Sequence, residues 1–407
     1  MLAWSRPVSF VNARVAVAGG LASRIRFSSK ILSIDEPPRK GDVVVDLGGA
    51  FVIPGLVNAH DHLELNHYGP LKVRDRYDNA SDWIADLSPL LKDDAAVRRN
   101  MAFPLRARLL AGVVKNVLAG VTTVAHHNPR YREIGRAYPV RILEKYGWAH
   151  SLGLEGKPVG ARGELGAGVA RACAETPASQ PFIVHAGEGV DDRAIAEIEE
   201  LDRLNCLREN TVLVHGVAIT GAVWRRVLDR GSSLVWCPAS NMFLFGQTLP
   251  ARRFFDADAK SRSRLCIGTD SRLTGARDLL DELRVARAVS QLSPMELLHA
   301  VTEAPGRALR LPDAGRISPG RPADFVVLPA LRDDVADTVL AAGRRDLLMV
   351  AVGGRPVVGA PSLRAVFSAR GARARRMVID GAERIAESSF AAAIARSPIS
   401  EPGVACA

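Results

Sequence analysis

The sequence lacks the features that mark membrane-spanning and disulfide-bonded proteins. It has no apolar run of ~18 residues or more, so no transmembrane helix is expected. Arg6 and Arg14 interrupt the early apolar residues, so we expect no signal peptide. The five cysteines are scattered, odd in number and free of any CxxC pair. A disulfide framework is therefore not expected, and a cytoplasmic location is predicted.

Aromatic residues are scarce at 5%, and the net charge of +10 comes mostly from arginine. A basic balance raises the question of a nucleic-acid partner. Much of the excess lies in residues 364–376, which have no interleaved aromatics and no RNA-binding motif. We expect a solvated helix or loop there, a small-molecule substrate as partner, and neither nucleic acid nor membrane. Homo-oligomerisation is left open.

The chain has ample apolar content for a large core, with 407 residues of which 47% are hydrophobic. Residues 8–50 predict short strands and turns. After His62, helical patterns, including one long helix over 95–118, alternate with short apolar strands. This alternation predicts an α/β fold with a parallel sheet, and this many units predict a (β/α)8 TIM-like barrel.

Apolar strands return at 324–328 and 347–358, where they can complete the N-terminal β module. The predicted domains are 1–54, the N-terminal part of a small β module; 55–312, the barrel; 313–365, the C-terminal part of the module; and 366–407, a C-terminal tail. Within the tail, the pattern over 384–396 indicates a helix.

Several predicted barrel strands end in a side chain that can bind metal or move protons. His60 and His62 are two residues apart and share one face of a strand. Alone, such a pair is more often a surface feature than a metal site. The carboxyl ends of parallel barrel strands, however, all lie on one rim. The recurrence of such side chains at strand ends is therefore a far more specific signal than the pair alone. These side chains are His60, His62, His185, His215 and Asp270.

With these elements in place, the sequence resembles the amidohydrolase superfamily, nearest the branch of cytosine deaminase, guanine deaminase and the triazine hydrolases. The resemblance implies a metal-dependent (β/α)8 barrel, with a flanking β-sandwich formed by N- and C-terminal segments. The matching segments are Pro54–His62 (PGLVNAHDH), His185–Glu188 (HAGE), Val214–Gly216 (VHG), Cys237–Asn241 (CPASN) and Gly268–Ser271 (GTDS).

Chemistry and this resemblance together imply roles for these residues. His60, His62, His185 and Asp270 would hold one divalent ion, with zinc favoured and iron or manganese compatible. The ion would activate a water, and Asp270 could also take the water proton.

The remaining site residues would handle protons and substrate. Glu188 would shuttle a proton to a ring nitrogen or leaving amine, unless it is a solvated loop carboxylate. His215 would polarise the substrate or orient the nucleophile, unless it is a core histidine. Asn241 and His127 are candidate substrate contacts, although Asn241 could simply cap the backbone of its turn. Glu64 and Arg130 are more speculative ones.

The chain departs from the family pattern between residues 154 and 182. The fourth barrel strand is not recognisable there. Some relatives hold two ions through a carbamylated lysine on that strand, for which Lys157 is the nearby candidate. We expect one ion, and two remain the alternative.

The predicted function is metal-dependent hydrolysis of a non-peptide C–N bond, as the deamination of an amino-substituted heterocycle. One alternative is ring opening of a cyclic amide or imidazolone, or another heteroaromatic hydrolysis. A second is a non-catalytic protein that binds small molecules on a hydrolase scaffold.

Overall fold

A computed structural model describes residues 5–134, 138–154, 158–159, 164–165 and 168–406. Across these ranges no helix combines the length and apolar character needed to cross a membrane. The segment that precedes His60 forms seven strands among the described residues: β1 (Val8–Val11), β2 (Arg14–Val17), β3 (Gly20–Ala22), β4 (Ile25–Phe27), β5 (Ile31–Ile34), β6 (Val43–Asp46) and β7 (Phe51–Pro54). The sequence predicts one strand over 8–17, but Asn12 adopts a φ of +49° that ends β1.

The middle of the chain alternates strands with helices. Its strands are β8 (Leu56–Asp61), β9 (Val121–His126), β10 (Arg141–Ile142), β11 (Gly147–Ala149), β12 (Pro158–Val159), β13 (Glu164–Leu165), β14 (Phe182–Ala186), β15 (Thr211–His215), β16 (Ser233–Trp236) and β17 (Leu265–Ile267). Its helices are α1 (Ala80–Asp93), α2 (Ala95–Met101), α3 (Leu105–Leu118), α4 (Val169–Glu175), α5 (Asp192–Arg203), α6 (Gly221–Arg230), α7 (Pro238–Phe245), α8 (Ala251–Ala257), α9 (Ala259–Arg262), α10 (Leu279–Val289), α11 (Pro294–Ala300) and α12 (Glu303–Ala308).

The C-terminal part returns to strands. It contains β18 (Phe325–Leu328), α13 (Val335–Ala341), β19 (Met349–Val352), β20 (Arg355–Gly359), α14 (Arg364–Ala369), β21 (Ala374–Ile379), β22 (Ala382–Glu387), α15 (Ser388–Ala395) and β23 (Val404–Cys406). The later part of the helix predicted over 384–396 is present as α15, whereas residues 384–387 belong to β22. Residues 364–376, predicted as a solvated helix or loop, form α14 and the start of β21.

The strands that carry the predicted site are parallel. One sheet has the order β10-β9-β8 and another the order β11-β14-β15-β16-β17. The two sheets meet where β8 and β17 end, because the backbone N–H groups of Thr269 and Asp270 donate to the carbonyl oxygen of His60 at 3.0 and 3.1 Å. Gly268 permits this approach, since a Cβ there would lie 2.6 Å from the His60 Cβ. The protein is therefore an α/β fold with parallel sheets.

Strands from both ends of the chain share two further sheets. One has the order β5-β4-β1-β6, and the other the order β23-β21-β22-β20-β19-β18-β7-β2-β3. Phe10 and Phe27 of the first pack edge-to-face against Phe325 of the second. The return of the C-terminal strands to the N-terminal module is thus observed, and the strands after residue 365 extend the same sheet.

Two local predictions need correction or fall outside the described ranges. The helix predicted over 95–118 is broken between α2 and α3, where Pro104, which has no N–H to donate, precedes the first turn of α3. Lys157 lies outside the described residues. β12 and β13 pair as a short antiparallel ribbon in that region.

The C-terminal segment is joined to the middle of the chain by a buried ionic cluster. The Glu401 carboxylate accepts hydrogen bonds from the guanidinium groups of Arg272 and Arg344, each at 2.6 Å. Arg344 also donates to Asp278 at 2.6 Å. Because Arg272 lies two residues after Asp270, this cluster ties the C-terminal segment to the loop that carries a predicted metal ligand.

Candidate metal centre

His60 and His62 lie at the end of β8, where their rings occupy a buried position. Their ring centroids are 4.9 Å apart. Their side chains point to the same side because they are two residues apart on a strand. Both ring nitrogens of His60, and Nδ1 of His62, are buried without a hydrogen-bond partner among the described residues. Buried imidazole nitrogens without a hydrogen-bond partner are unusual unless a ligand binds to them.

His185, at the end of β14, comes close to this pair. Its Nδ1 donates to the His150 carbonyl oxygen at 2.9 Å, which leaves the lone pair on Nε2. That Nε2 lies 3.3 Å from Nε2 of His62. The hydrogen bond to the His150 carbonyl therefore turns the Nε2 lone pair of His185 towards the histidines of β8.

Asp270 follows β17, and one of its carboxylate oxygens lies close to the rings of His60 and His62. Its Oδ1 lies 3.8 Å from Nε2 of His60 and 3.6 Å from Nε2 of His62. Its Oδ2 accepts hydrogen bonds from the hydroxyls of Ser240 and Thr274 at 2.9 and 2.8 Å, which fixes the carboxylate. Asp270 has a φ of +50°, a strained conformation typical of functional sites.

These four side chains fit a divalent metal ion. Ligands about 2.0–2.1 Å from an ion in tetrahedral or similar geometry lie about 3–4 Å from one another. The measured separations of 3.3, 3.6 and 3.8 Å fall in that range. Burial, followed by the neighbouring histidines, lowers the pKa of His60 and His62 well below the ordinary value. Neutral imidazoles are the form that binds metal.

His127, a candidate substrate contact in the sequence, belongs to the same histidine cluster. The ligand atoms of His60, His62, His127 and His185 all lie within 4.8 Å of one another. The His127 ring stacks on that of His185, with centroids 4.2 Å apart, and its Nε2 donates to the Ala149 carbonyl at 2.9 Å. His127 thus packs against His185 within the histidine cluster.

Glu188 and His215 face each other beside the metal ligands. Oε1 of Glu188 lies 3.4 Å from Nε2 of His215. Burial, then the charges of Asp270 and Glu197, raises the pKa of Glu188 well above the ordinary value. The two side chains line one cavity with His62 and Asp270.

Asn241 orients His215. Nδ1 of His215 donates to Oδ1 of Asn241 at 2.9 Å, which leaves the lone pair of Nε2 towards Glu188. The Asn241 amide donates to Thr248 at 3.1 Å, and the whole side chain is buried. These contacts support a positioning role for Asn241.

Sequence reasoning missed a buried polar network beneath the ligands. Lys115 of α3 donates from Nζ to Asn66 at 2.7 Å, to Thr269 at 2.8 Å and to the carbonyl of Asp270 at 3.1 Å. It also pairs with the Asp61 carboxylate at 3.4 Å. A lysine on the apolar face of a predicted helix was the available signal. The network joins the end of β8, which carries His60 and His62, to the end of β17.

The cavity in front of the cluster has a volume of about 350 Å³, within the range of small-molecule sites. His62, His185, Glu188 and Asp270 line it. Helix α1, which the sequence did not predict, supplies part of its wall through Trp83, Ile84 and Leu87. The start of α1 also holds the Glu188 loop, because the Ala80 N–H donates to the Glu188 carbonyl at 2.9 Å.

Metal-free protein is expected to lose stability as the pH falls from about 7 towards 5. Burial and neighbouring histidines lower the pKa of His60, His62 and His185 in the folded state. In the unfolded chain these imidazoles take up protons near pH 6.5. The unfolded state then binds more protons, so the free energy of unfolding decreases with falling pH. Urea denaturation of chelator-treated protein at several pH values measures this slope, and His62→Asn should reduce it. A flat profile would contradict the burial of neutral imidazoles.

Comparisons with known proteins find similar hydrolases and deaminases. The model of the amidohydrolase family matches residues 164–357. The chain is 27% identical over 374 residues to a 5-methylthioadenosine/S-adenosylhomocysteine deaminase of Natronomonas pharaonis, covering 78% of this chain and 84% of that one. A deaminase of the same name from Halobacterium salinarum is 28% identical, with 79% and 84% covered.

Solved structures share the fold at lower identity. The adenosine deaminase of Xanthomonas campestris with bound zinc superimposes with a TM-score of 0.63 at 18% identity, covering 87% of this chain and 92% of that one. The atrazine chlorohydrolase of Arthrobacter aurescens complexed with zinc gives 0.65 at 17% identity, covering 86% and 95%. The chain is thus similar in sequence to deaminases of the amidohydrolase family and shares its fold with adenosine deaminase and triazine hydrolase structures.

Proposed function

We propose that this protein is a metal-dependent hydrolase that deaminates an amino-substituted heterocycle. The observation that carries the proposal is the convergence of His60, His62, His185 and Asp270 with the acid–base pair Glu188 and His215 on one cavity. A lone buried metal cluster would serve a structural site equally well. An ionisable pair beside it, open to a cavity of ligand size, favours catalysis.

We propose one zinc ion, held by the three histidines and Asp270. Three imidazole nitrogens and one carboxylate suit zinc, and iron or manganese remain compatible with the same ligand types. When bound, the ion would lower the pKa of a water and polarise the substrate.

The chain's own residues would handle the protons. Glu188, whose pKa is raised by burial, can hold a proton near neutral pH and deliver it to a ring nitrogen or leaving amine. His215 keeps an unprotonated Nε2 towards Glu188, so it can orient that carboxyl group and the attacking water. Apolar residues around the cavity exclude bulk water and strengthen these interactions.

We also propose a closed barrel, a flanking β-sandwich and a cytoplasmic location, in line with the similarity to amidohydrolases. Side chains from one face of β8, β9, β14, β15, β16 and β17 pack into a single apolar cluster, as expected of a closed (β/α)8 barrel formed by residues 55–312. The two sheets built from residues 1–54 and from the C-terminal strands share a core, as in a β-sandwich. The five free cysteines support a cytoplasmic location.

The test is ammonia release by purified protein loaded with zinc, iron or manganese. Aminopurines are the first substrates to assay, because relatives are named 5-methylthioadenosine/S-adenosylhomocysteine deaminase and 8-oxoguanine deaminase; aminotriazines follow. We expect release that a chelator abolishes and metal restores. Ring opening of cyclic amides without any ammonia release would favour the alternative hydrolase. Ligand binding without turnover of either class would favour a binding protein.

A further inference from the structure

We propose that Glu64 and Asn128 form a specificity subsite that accepts hydrogen bonds from an N–H or O–H group of the substrate. The inference rests on the proposed function and narrows its substrate class. The substrate would be a heterocycle that carries a donor group on the side facing these two residues and an apolar substituent.

Glu64 lies two residues after His62, in a short helical turn at Leu63–Leu65. Asn128 lies two residues after the end of β9. Their side chains are almost fully buried, at 3% and 5% exposure, yet both line the cavity that contains His62, Glu188 and Asp270. The two residues are therefore placed on the wall that a substrate at the metal ligands would touch.

The hydrogen bonds of Glu64 leave one of its oxygens unused. Oε1 accepts from the Asn128 amide and from the Tyr131 hydroxyl at 3.1 Å. Oε2 of Glu64 and Oδ1 of Asn128 are buried, and neither has a hydrogen-bond partner among the described residues. Buried acceptors without donors are costly, so two of them on one cavity wall indicate a donor that arrives with the ligand.

His126, whose ring lies beside the Glu64 carboxylate, does not supply that donor. Its Nδ1 lies 3.8 Å from Oε2 of Glu64. The backbone N–H of Leu63 donates to the same Nδ1 at 3.4 Å, so this nitrogen carries a lone pair and no proton. The geometry leaves Oε2 for a group from outside the protein.

The rest of the wall indicates the remainder of the substrate. It is largely apolar, with Leu65, Trp83, Ile84, Leu87, Met101 and Leu105, and Arg108 adds one cation. An apolar wall favours an apolar substituent. A donor-bearing ring with such a substituent satisfies both the acceptor pair and the apolar wall.

The experiment compares Glu64→Gln with wild type on matched substrates. Adenosine is paired with its 2′-deoxy and 3′-deoxy analogues, and guanine with 1-methylguanine, so that each pair differs in one donor. In wild type, we expect the analogue that lacks the recognised donor to lose about 10- to 100-fold in kcat/KM. Glu64→Gln replaces one acceptor by a donor, so it should lose a similar factor on the donor-bearing substrate and abolish the discrimination. Glu36→Gln, an exposed residue, is the control and should change neither.

A binding measurement separates this proposal from the proposed function. The same ligand pairs are titrated by calorimetry into zinc-loaded Glu188→Gln protein, with and without Glu64→Gln. If no heterocycle is deaminated, the proposed function fails, while a donor-dependent affinity that Glu64→Gln removes would still support the subsite. The subsite is overturned if the proteins with and without Glu64→Gln discriminate equally between the paired ligands. It is also overturned if neither protein discriminates within any pair. Where Glu64→Gln does not fold, Asn128→Ala removes the second acceptor and carries the same expectation.

Discussion

Glu188→Gln is expected to keep its metal and to lose about 10²- to 10⁴-fold in kcat, the range of a single general acid–base group. Glutamine has nearly the same shape but cannot carry the proton. Oε1 of Glu188 lies 3.4 Å from His215, and the metal ligands are separate side chains, so metal binding should survive. Steady-state kinetics together with elemental analysis measures both quantities on the same preparation.

Two comparison variants make the result specific. Asp192→Asn removes a carboxylate four residues further on, at an exposed position, and should leave kcat unchanged. Asp270→Ala should lose metal and turnover together, because Oδ1 of Asp270 faces His60 and His62. A Glu188→Gln protein with kcat within about threefold of wild type would refute the proton-transfer role.

Lys115→Met is expected to lower the free energy of unfolding by about 3–5 kcal/mol, the usual cost of removing one partner of a buried ion pair. The ammonium group is fully buried, and burial lowers the pKa of Lys115 while Asp61 partly offsets this effect. Its loss leaves the Asp61 carboxylate with amide donors alone, from Asn58, Asn66 and Asn116. Chemical denaturation measures the change.

The same variant should bind metal about 10- to 100-fold more weakly, as expected when a side chain that holds the metal-ligand segments in place is removed. Lys115 contacts the Asp270 carbonyl and pairs with Asp61, which lies between His60 and His62. Lys92→Met, at the exposed end of α1, is the matched control. The double variant Lys115→Met/Asp61→Asn removes both charges of the buried pair. Because no unpaired charge is left buried, part of the lost free energy of unfolding should be recovered. A stability change below about 1 kcal/mol would show that the network is dispensable.

The residues that local pattern identified are those at strand ends. His60, His185 and Asp270 were predictable because each follows an apolar run, and parallel strands place their carboxyl ends together. The pairing of His60 with His62 followed from the two-residue period of a strand. Helix α1 was not predicted. The apolar spacing continues through Pro104, so the sequence predicts one helix where the structure has α2 and α3.

The sequence by itself predicted the alternation of strands and helices in the middle of the chain, the candidate metal ligands His60, His62, His185 and Asp270, and the kind of chemistry they support. These depend on local periodicity and on residue type, both of which are readable along the chain. The tertiary structure alone decided which polar groups meet. Lys115 donates a hydrogen bond to Thr269, 154 residues away in the sequence, and Asn128 donates one to Glu64, 64 residues away. Such contacts depend on how helices pack on strands, and no local pattern encodes the distance between two side chains that packing brings together.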